Sequence, residues 1–293
     1  MNNHDLLSAL SERPLLCDGA MGSQLIAVGM TTDQCGEQWN VDEPGKIESI
    51  HQRYRDAGCD LITTNTFGGT RTMLARHGLS DQVEAFNRAA AQVARRAAGD
   101  DGWVLGDVGP FGDFLEPMGV TTADELKEVF GQQIAALVDG GANAIVVETM
   151  ADPAELTIAV QVARQLTDLP VIATYSFQSS PNGSFNTMMG TTVEQAMRAA
   201  IDAGADIVGT NCGTSLSLDD YRQLARQLVE AVGEVPVIVQ ANAGTPDAVD
   251  GQLVYPATPQ EMAQLATDLL DTGVRVVGGC CGTTPEHLLA MHL

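Results

Sequence analysis

The chain has 293 residues, of which 44% are hydrophobic and only 4% aromatic, and its 15 Lys and Arg against 38 Asp and Glu give a net charge of −23. This acidity excludes the basic surface that nucleic acids require and argues equally against binding to an anionic membrane. The N-terminus lacks the basic start and apolar core of a secretory signal, and no apolar run approaches the length of a membrane span. Six cysteines are too few for a disulfide scaffold in a chain of this size. We therefore expect a cytoplasmic protein with reduced thiols.

Short apolar, β-branched runs recur along the whole chain, and each is followed by a turn and an Ala/Leu/Glu-rich stretch with helical spacing. Eight such runs predict strands over 14–19, 60–65, 103–108, 143–149, 170–177, 206–212, 236–242 and 274–280. They are continuously apolar rather than alternating, which is typical of a parallel sheet covered by helices.

The stretches between the strands predict helices, of which 43–58, 122–141 and 258–273 are the clearest. In the last of these, Thr258 is the expected N-cap and Pro259 the first helical residue. Several of the helices end in glycine, which readily adopts the left-handed turn after a helix.

Eight strand–helix units without a linker or a change in composition predict an α/β protein with one closed (β/α)₈ TIM barrel. We expect it to form a single domain over residues 1–293, and a doubly wound open sheet is the alternative. The longest irregular segments, 19–42 and 179–190, are expected to shape the mouth of the active site.

Sulfur-bearing residues follow two of the predicted strands. Cys212 ends the sixth strand, and Cys280 and Cys281 end the eighth. Because the carboxyl ends of parallel barrel strands share one face and strands lie about 4.8 Å apart, the three thiols can meet. Three thiolates suit a catalytic zinc with an open fourth position, and the alternative is packed thiols without a metal. The turn that contains Cys280 and Cys281, "GGCCG" (278–282), is rich in glycine, but a phosphate site there is disfavoured because no Lys or Arg lies close by in sequence.

A zinc held by three thiolates predicts one kind of chemistry. A substrate thiol that fills the open position would lose its proton to become a bound thiolate at neutral pH. The predicted reaction is attack of this sulfur on an activated carbon, with zinc as the activator and no side-chain nucleophile.

Seven motifs of the chain resemble those of the zinc-dependent homocysteine S-methyltransferase family. They are "DGAMG" (18–22), "TNTFGG" (64–69), "GDVGPFGDFLEPMG" (106–119), "VVETMAD" (146–152), "GTNCG" (209–213), "QANAG" (240–244) and "VGGCCGTTPEH" (277–287). Within the family, the chain is most similar to the homocysteine-binding barrel of cobalamin-dependent methionine synthase, and the likeness covers nearly the whole chain.

The resemblance implies a Zn²⁺-dependent enzyme of methionine biosynthesis that methylates homocysteine, with Cys212, Cys280 and Cys281 as metal ligands. It also implies a polar cradle for the amino-acid end of the substrate, formed by Asp18, Gly19, Ala20, Met21, Glu148 and Asn242. A carboxylate such as Glu148 suits the ammonium group, and main-chain N–H groups near Gly19–Met21 suit the carboxylate.

The methyl donor is the open point. The chain holds no recognisable folate- or cobalamin-binding segment, so methylcobalamin, if used, is expected on a separate corrinoid protein. S-methylmethionine, betaine or a folate are other donors, and a related thiol is another acceptor. Two alternatives stay open: a thiol-binding subunit that works only with a corrinoid or folate carrier protein, and a redox protein built on the vicinal thiols of Cys280 and Cys281.

Other residues with chemical potential are expected to have structural roles. Cys17 and Cys59 are predicted to be small buried side chains, and Cys35 an idle thiol in a mouth loop. His287 follows a "TTPE" capping-box pattern and is expected on the surface of the last helix. Asp107 is expected to hold the loop after the third strand.

Overall fold

The computed structural model describes residues 5–180, 183–249 and 252–292. Twelve strands occur in these ranges and are numbered in chain order: β1 (Leu15–Leu16), β2 (Leu61–Thr63), β3 (Trp103–Val108), β4 (Ala144–Met150), β5 (Val171–Tyr175), β6 (Phe177–Ser179), β7 (Phe185–Thr187), β8 (Ile207–Asn211), β9 (Val237–Ala241), β10 (Asp247–Val249), β11 (Gln252–Val254) and β12 (Val276–Gly279).

Eight of these strands form one parallel sheet in the order β1-β12-β9-β8-β5-β4-β3-β2. The two edges meet, because Cys17 pairs with Leu61 and the Asp18 N–H donates to the Leu61 carbonyl at 3.0 Å. The sheet is therefore a closed (β/α)₈ barrel, as predicted, and the open-sheet alternative is wrong. The predicted strands agree with the barrel strands to within a few residues, except that Phe177 belongs to β6 rather than to β5.

Helices surround the barrel: α1 (Leu6–Glu12), α2 (Gly22–Ala27), α3 (Trp39–Asp42), α4 (Pro44–Asp56), α5 (Arg71–Ala75), α6 (Val83–Ala98), α7 (Ala123–Asp139), α8 (Pro153–Leu166), α9 (Val193–Ala203), α10 (Leu218–Val232), α11 (Pro259–Thr272) and α12 (Pro285–Ala290), with a 3₁₀ turn at Ser80–Gln82. The start of α11 is as predicted, with Thr258 as N-cap and Pro259 in the first turn. Within the described ranges, no helix combines the length and apolarity needed to cross a bilayer.

Two apolar layers hold the barrel together. Alternate strand side chains fill its interior, where Leu6 and Leu10 of α1 pack in the same cluster as Leu15 and Trp103. The other strand side chains pack outward against the helices in a larger cluster. The short helix α1, which the sequence did not reveal, thus contributes to the barrel interior.

Two antiparallel hairpins lie in the connections that follow barrel strands. We predicted the segment 179–190 to be irregular, but β6 and β7 pair across it and the residues just before it. Pro181 and Asn182 of this segment lie outside the described ranges. Strands β10 and β11 form the second hairpin, between β9 and α11. The predicted mouth segment 19–42 contains α2 and α3. These connections emerge at the carboxyl ends of the strands, where barrel active sites lie.

Candidate active site

Three cysteines converge at the carboxyl ends of β8 and β12. The sulfur atoms of Cys212, Cys280 and Cys281 all lie within 4.8 Å of one another, and those of Cys212 and Cys281 are 3.8 Å apart. All three side chains are half-buried, whereas Cys17, Cys35 and Cys59 are buried elsewhere. In the described part of the chain, this is the one group of three or more His, Cys, Asp or Glu side chains arranged to hold a metal ion.

The spacing of the sulfurs fits a tetrahedral metal centre. With zinc–sulfur bonds of about 2.3 Å, two sulfurs at tetrahedral positions lie about 3.8 Å apart, the separation of Cys212 and Cys281. Hydrogen bonds from the Cys212 and Cys280 thiols lower the pKa of Cys281, and hydrogen bonds with Cys212 and Cys281 raise the pKa of Cys280. Cys281 is therefore the most acidic thiol of the cluster, and protonated thiols must lose their protons to become ligands.

Glu148, at the end of β4, is half-buried beside this cluster. Its Oε2 accepts a hydrogen bond from the Asn211 Nδ2 at 2.6 Å, while the Asn211 Oδ1 accepts from the Thr149 N–H at 2.8 Å. Asn211 is fully buried and makes these contacts from the last position of β8. The amide thereby fixes the carboxylate between β4 and β8.

We expected Asp107 of β3 to hold the loop that follows, but its side chain is buried near Glu148, and its Oδ1 has no hydrogen-bond partner among the described residues. Burial and the neighbouring Glu148 raise the pKa of Asp107 well above its usual range. Burial also raises the pKa of Glu148 to about 7, but its hydrogen bond with Asp107 opposes this rise, and the charges of Asp18 and Cys281 add to it. Of this pair, Asp107 therefore has the higher pKa and Glu148 is the easier to ionise.

The segment after β1 is tightly held. The two carboxylate oxygens of Asp18 accept from the N–H and the hydroxyl of Thr63, each at 2.8 Å, and so join β1 to β2. Burial raises the pKa of Asp18 to about 7. The Ala20 N–H donates to the Thr283 hydroxyl at 3.1 Å, so this main-chain donor is already occupied. A Cβ at Gly19 would lie 2.6 Å from the same hydroxyl oxygen, so the segment needs glycine there.

Met21 and Asn242 complete the predicted set. Met21 is half-buried at the start of α2. The buried Asn242 follows β9 and donates its Nδ2 to the Gly213 carbonyl at 3.2 Å. Its Oδ1 has no hydrogen-bond partner among the residues described. The Asn242 side chain thus lies beside the Cys212 turn, and its amide oxygen can accept a hydrogen bond from a ligand.

Three further residues of the site lay beyond the sequence reasoning. Asn211 could have been found, because it is the polar residue that ends a buried strand directly before Cys212. Tyr221 of α10, whose hydroxyl contacts the Cys212 carbonyl, carries no signal beyond a buried helical position. Tyr255 lies against Cys281, and a Cβ at Gly282 would be 2.2 Å from its ring. It follows a hairpin that the sequence did not predict.

His287 corrects another expectation. Its ring is buried, with Nδ1 accepting from the Thr284 N–H at 3.1 Å and Nε2 at 2.9 Å from the Ala257 carbonyl. Thr284 is the N-cap of α12, so His287 takes the capping-box position that we expected for Glu286. The histidine therefore joins the start of α12 to the segment before α11.

The profile of the family described as Homocysteine S-methyltransferase matches residues 15–293. The chain belongs to this family. Among its relatives are the methionine synthases of Mycobacterium tuberculosis and Mycobacterium leprae, which are 34% and 32% identical to it over 97% of its length. The match covers 25% and 24% of those proteins, so the chain spans about a quarter of their length.

Solved structures share the barrel fold of this homocysteine S-methyltransferase family member. The metallated form of the homocysteine methyltransferase MmuM from Escherichia coli aligns with a TM-score of 0.80 at 22% identity, covering 97% of this chain and 98% of that one. Its apo form aligns with a TM-score of 0.75. In this chain the cysteine cluster lies at the carboxyl ends of the barrel strands, the end where barrel active sites lie.

Proposed function

We propose that this chain is a zinc-dependent methyltransferase that binds homocysteine through its sulfur and converts it to methionine. The observation that carries the proposal is the cluster of Cys212, Cys280 and Cys281, whose sulfurs lie within 4.8 Å of one another on a barrel of this family. An all-sulfur donor set favours zinc over magnesium or calcium. Zinc bound there would hold a substrate thiol as its thiolate.

The amino-acid end of homocysteine is assigned to the polar groups beside the cluster. Glu148 lies close to Cys281 and is more readily ionised than Asp107, so it suits the substrate ammonium. The spare Oδ1 of Asn242 is a second acceptor. The Ala20 N–H is already occupied, so Gly19 and Met21 are the remaining main-chain donors of that segment for the carboxylate. Asp18 holds the segment in place through Thr63.

The surface around the mouth favours a methyl donor carried by another protein. Eleven large apolar side chains of the described residues are exposed, and nine of them lie in the connections that follow barrel strands. These nine, the apolar rim, are Ile26, Val41, Phe67, Phe114, Met118, Val120, Met188, Met189 and Val254. Contiguous exposed apolar patches commonly mark interaction sites, so the concentration of these side chains in the mouth connections motivates the idea of a docked methyl carrier.

The second candidate is therefore a thiol-binding subunit that is active only with a corrinoid or folate carrier protein. The chain corresponds to a quarter of the length of its methionine synthase relatives. We place the reaction in the cytoplasm, because all six cysteines are free thiols, which a reducing compartment preserves.

A donor screen on reduced, zinc-loaded protein with homocysteine tests both candidates. Turnover with S-methylmethionine or betaine alone identifies an autonomous enzyme. Turnover only with methylcobalamin, a methylated corrinoid protein or a methylated folate carrier identifies the subunit. Cys280→Ala should abolish metal binding and turnover, whereas Cys59→Ala, which changes a buried thiol outside the cluster, should leave both intact. Full activity of Cys280→Ala would refute the assignment.

A further inference from the structure

Strand β9 carries no cysteine, yet its end contacts all three ligand candidates. It lies between β8 and β12 in the barrel. The main chain of β9 and of the residues just after it makes three bonds to the cysteines: Cys212 N–H to Gln240 O at 3.1 Å, Cys280 N–H to Ala241 O at 2.8 Å, and Ala243 N–H to Cys281 O at 2.9 Å. The position of the β8 sulfur relative to the β12 sulfurs therefore depends on how each is held against β9.

The Cys212 side of this arrangement is strained. Cys212 has a φ of 54° and Gly213 a φ of 109°, so two successive residues are in the left-handed region. The left-handed conformation is unfavourable for a non-glycine residue because its Cβ approaches the following carbonyl oxygen. The surrounding structure must therefore hold this turn, because the relaxed backbone of Cys212 would direct its sulfur elsewhere.

One buried hydroxyl connects the strained turn to β9. Tyr221 of α10 is fully buried, and its Oη donates to the Cys212 carbonyl and accepts from the Asn242 N–H at 3.1 Å. The Asn242 side chain adds a bond from its Nδ2 to the Gly213 carbonyl at 3.2 Å. Tyr221 thus joins the carbonyl of one ligand candidate to the strand that holds the other two.

We propose that Tyr221 is a positioning residue of the metal centre, whose hydroxyl holds the Cys212 turn so that the three sulfurs meet. The inference rests on the proposed function only in requiring that the cluster binds zinc. The Tyr221 hydroxyl is neither a proposed metal ligand nor a proposed contact of the substrate. It acts through the main chain of Cys212 and through Asn242. Groups that orient metal ligands in this way commonly change metal affinity by about 10–100-fold when they are removed.

The test is Tyr221→Phe, with Tyr175→Phe as the matched control. Tyr175 of β5 is also fully buried, but its hydroxyl has no partner in the described part of the chain. Zinc affinity is measured by competition with a chromophoric chelator, at a temperature where circular dichroism shows that each apoprotein is folded. We expect Tyr221→Phe to weaken zinc binding about 10–100-fold and Tyr175→Phe to bind as the wild type does.

A second readout follows the geometry of the site itself. In the cobalt-substituted protein, the sulfur-to-metal charge-transfer absorption should change in Tyr221→Phe and stay unchanged in Tyr175→Phe. Wild-type zinc affinity in Tyr221→Phe would overturn the proposal. So would failure of that variant to fold when Tyr175→Phe folds, because the hydroxyl would then serve the fold as a whole. If the wild type itself binds no zinc, the proposed function fails instead.

Discussion

Replacement of Glu148 by Gln isolates the charge that we assign to the substrate ammonium. The amide oxygen of glutamine can still accept the Asn211 Nδ2 bond, which is 2.6 Å long in the native site, so the side chain should keep its place. What is lost is the negative charge beside Cys281 and Asp107. The zinc site, which contains no atom of Glu148, should bind metal with wild-type affinity.

The size of the effect follows from the kind of bond that is removed. Hydrogen bonds to charged groups contribute about 1.5–3 kcal/mol, and each 1.4 kcal/mol is a factor of ten in affinity. Glu148→Gln should therefore weaken homocysteine binding by about 10- to 150-fold. Calorimetric titration of homocysteine into zinc-loaded protein measures this without knowledge of the methyl donor.

Two controls separate lost charge from a damaged site. The thiol 4-mercaptobutyrate lacks the amino group, so it should bind Glu148→Gln as well as it binds the wild type. Glu155→Gln changes another buried carboxylate, which accepts from the Phe111 N–H at 2.7 Å and whose pKa burial raises to about 7, and it should leave homocysteine affinity unchanged. An equal loss for both thiols, or none for homocysteine, would refute our placement of the ammonium at Glu148.

Three further outcomes are expected. Burial lowers the pKa of His51 to about 3, so below pH 6.5 this histidine gains a proton in the unfolded chain but not in the folded one, and the folded state loses stability as the pH falls. His51→Leu should remove about 2 kcal/mol of the stability that is lost between pH 7 and pH 5. Urea unfolding at the two pH values measures this, and the same loss in the variant and the wild type would contradict it. Gly282→Ala should weaken zinc binding, because its Cβ would lie 2.2 Å from the Tyr255 ring. Gly233→Ala is the control, because this glycine also has a positive φ but lies in open space, so the change should only lower stability. Equal zinc affinity in the two variants would show that the clash with Tyr255 does not affect the metal site. Zinc loading of the apoprotein in a pH-stat should release protons, because thiols bind the metal as thiolates, and release of none would be inconsistent with the cluster.

The positions of the cysteines could be predicted because barrel geometry is simple. Each continuous apolar run forms a buried parallel strand, and all such strands end on one face. Cys212 and Cys280 are far apart in sequence, but both follow such runs, so their approach follows from topology alone. The same reasoning placed Glu148 at that face, at the end of β4.

The supporting contacts could not be predicted from these patterns. Tyr221 occupies a buried position in α10 like that of Leu224, and no periodicity shows that its hydroxyl meets the Cys212 carbonyl. The bond from the Ala20 N–H to Thr283 joins residues at opposite ends of the chain. Such bonds depend on side-chain directions within the folded barrel, whereas strands and helices depend on local spacing.

X-ray absorption spectroscopy at the zinc edge, with selenohomocysteine as the substrate analogue, tests the central claim most directly. Zinc-loaded protein should show three sulfur neighbours at about 2.3 Å. Addition of selenohomocysteine should place one selenium atom in the first coordination shell while the three sulfurs stay. Fewer than three sulfur neighbours, or a shell that never gains selenium, would contradict a metal centre formed by Cys212, Cys280 and Cys281 that receives the substrate through its sulfur.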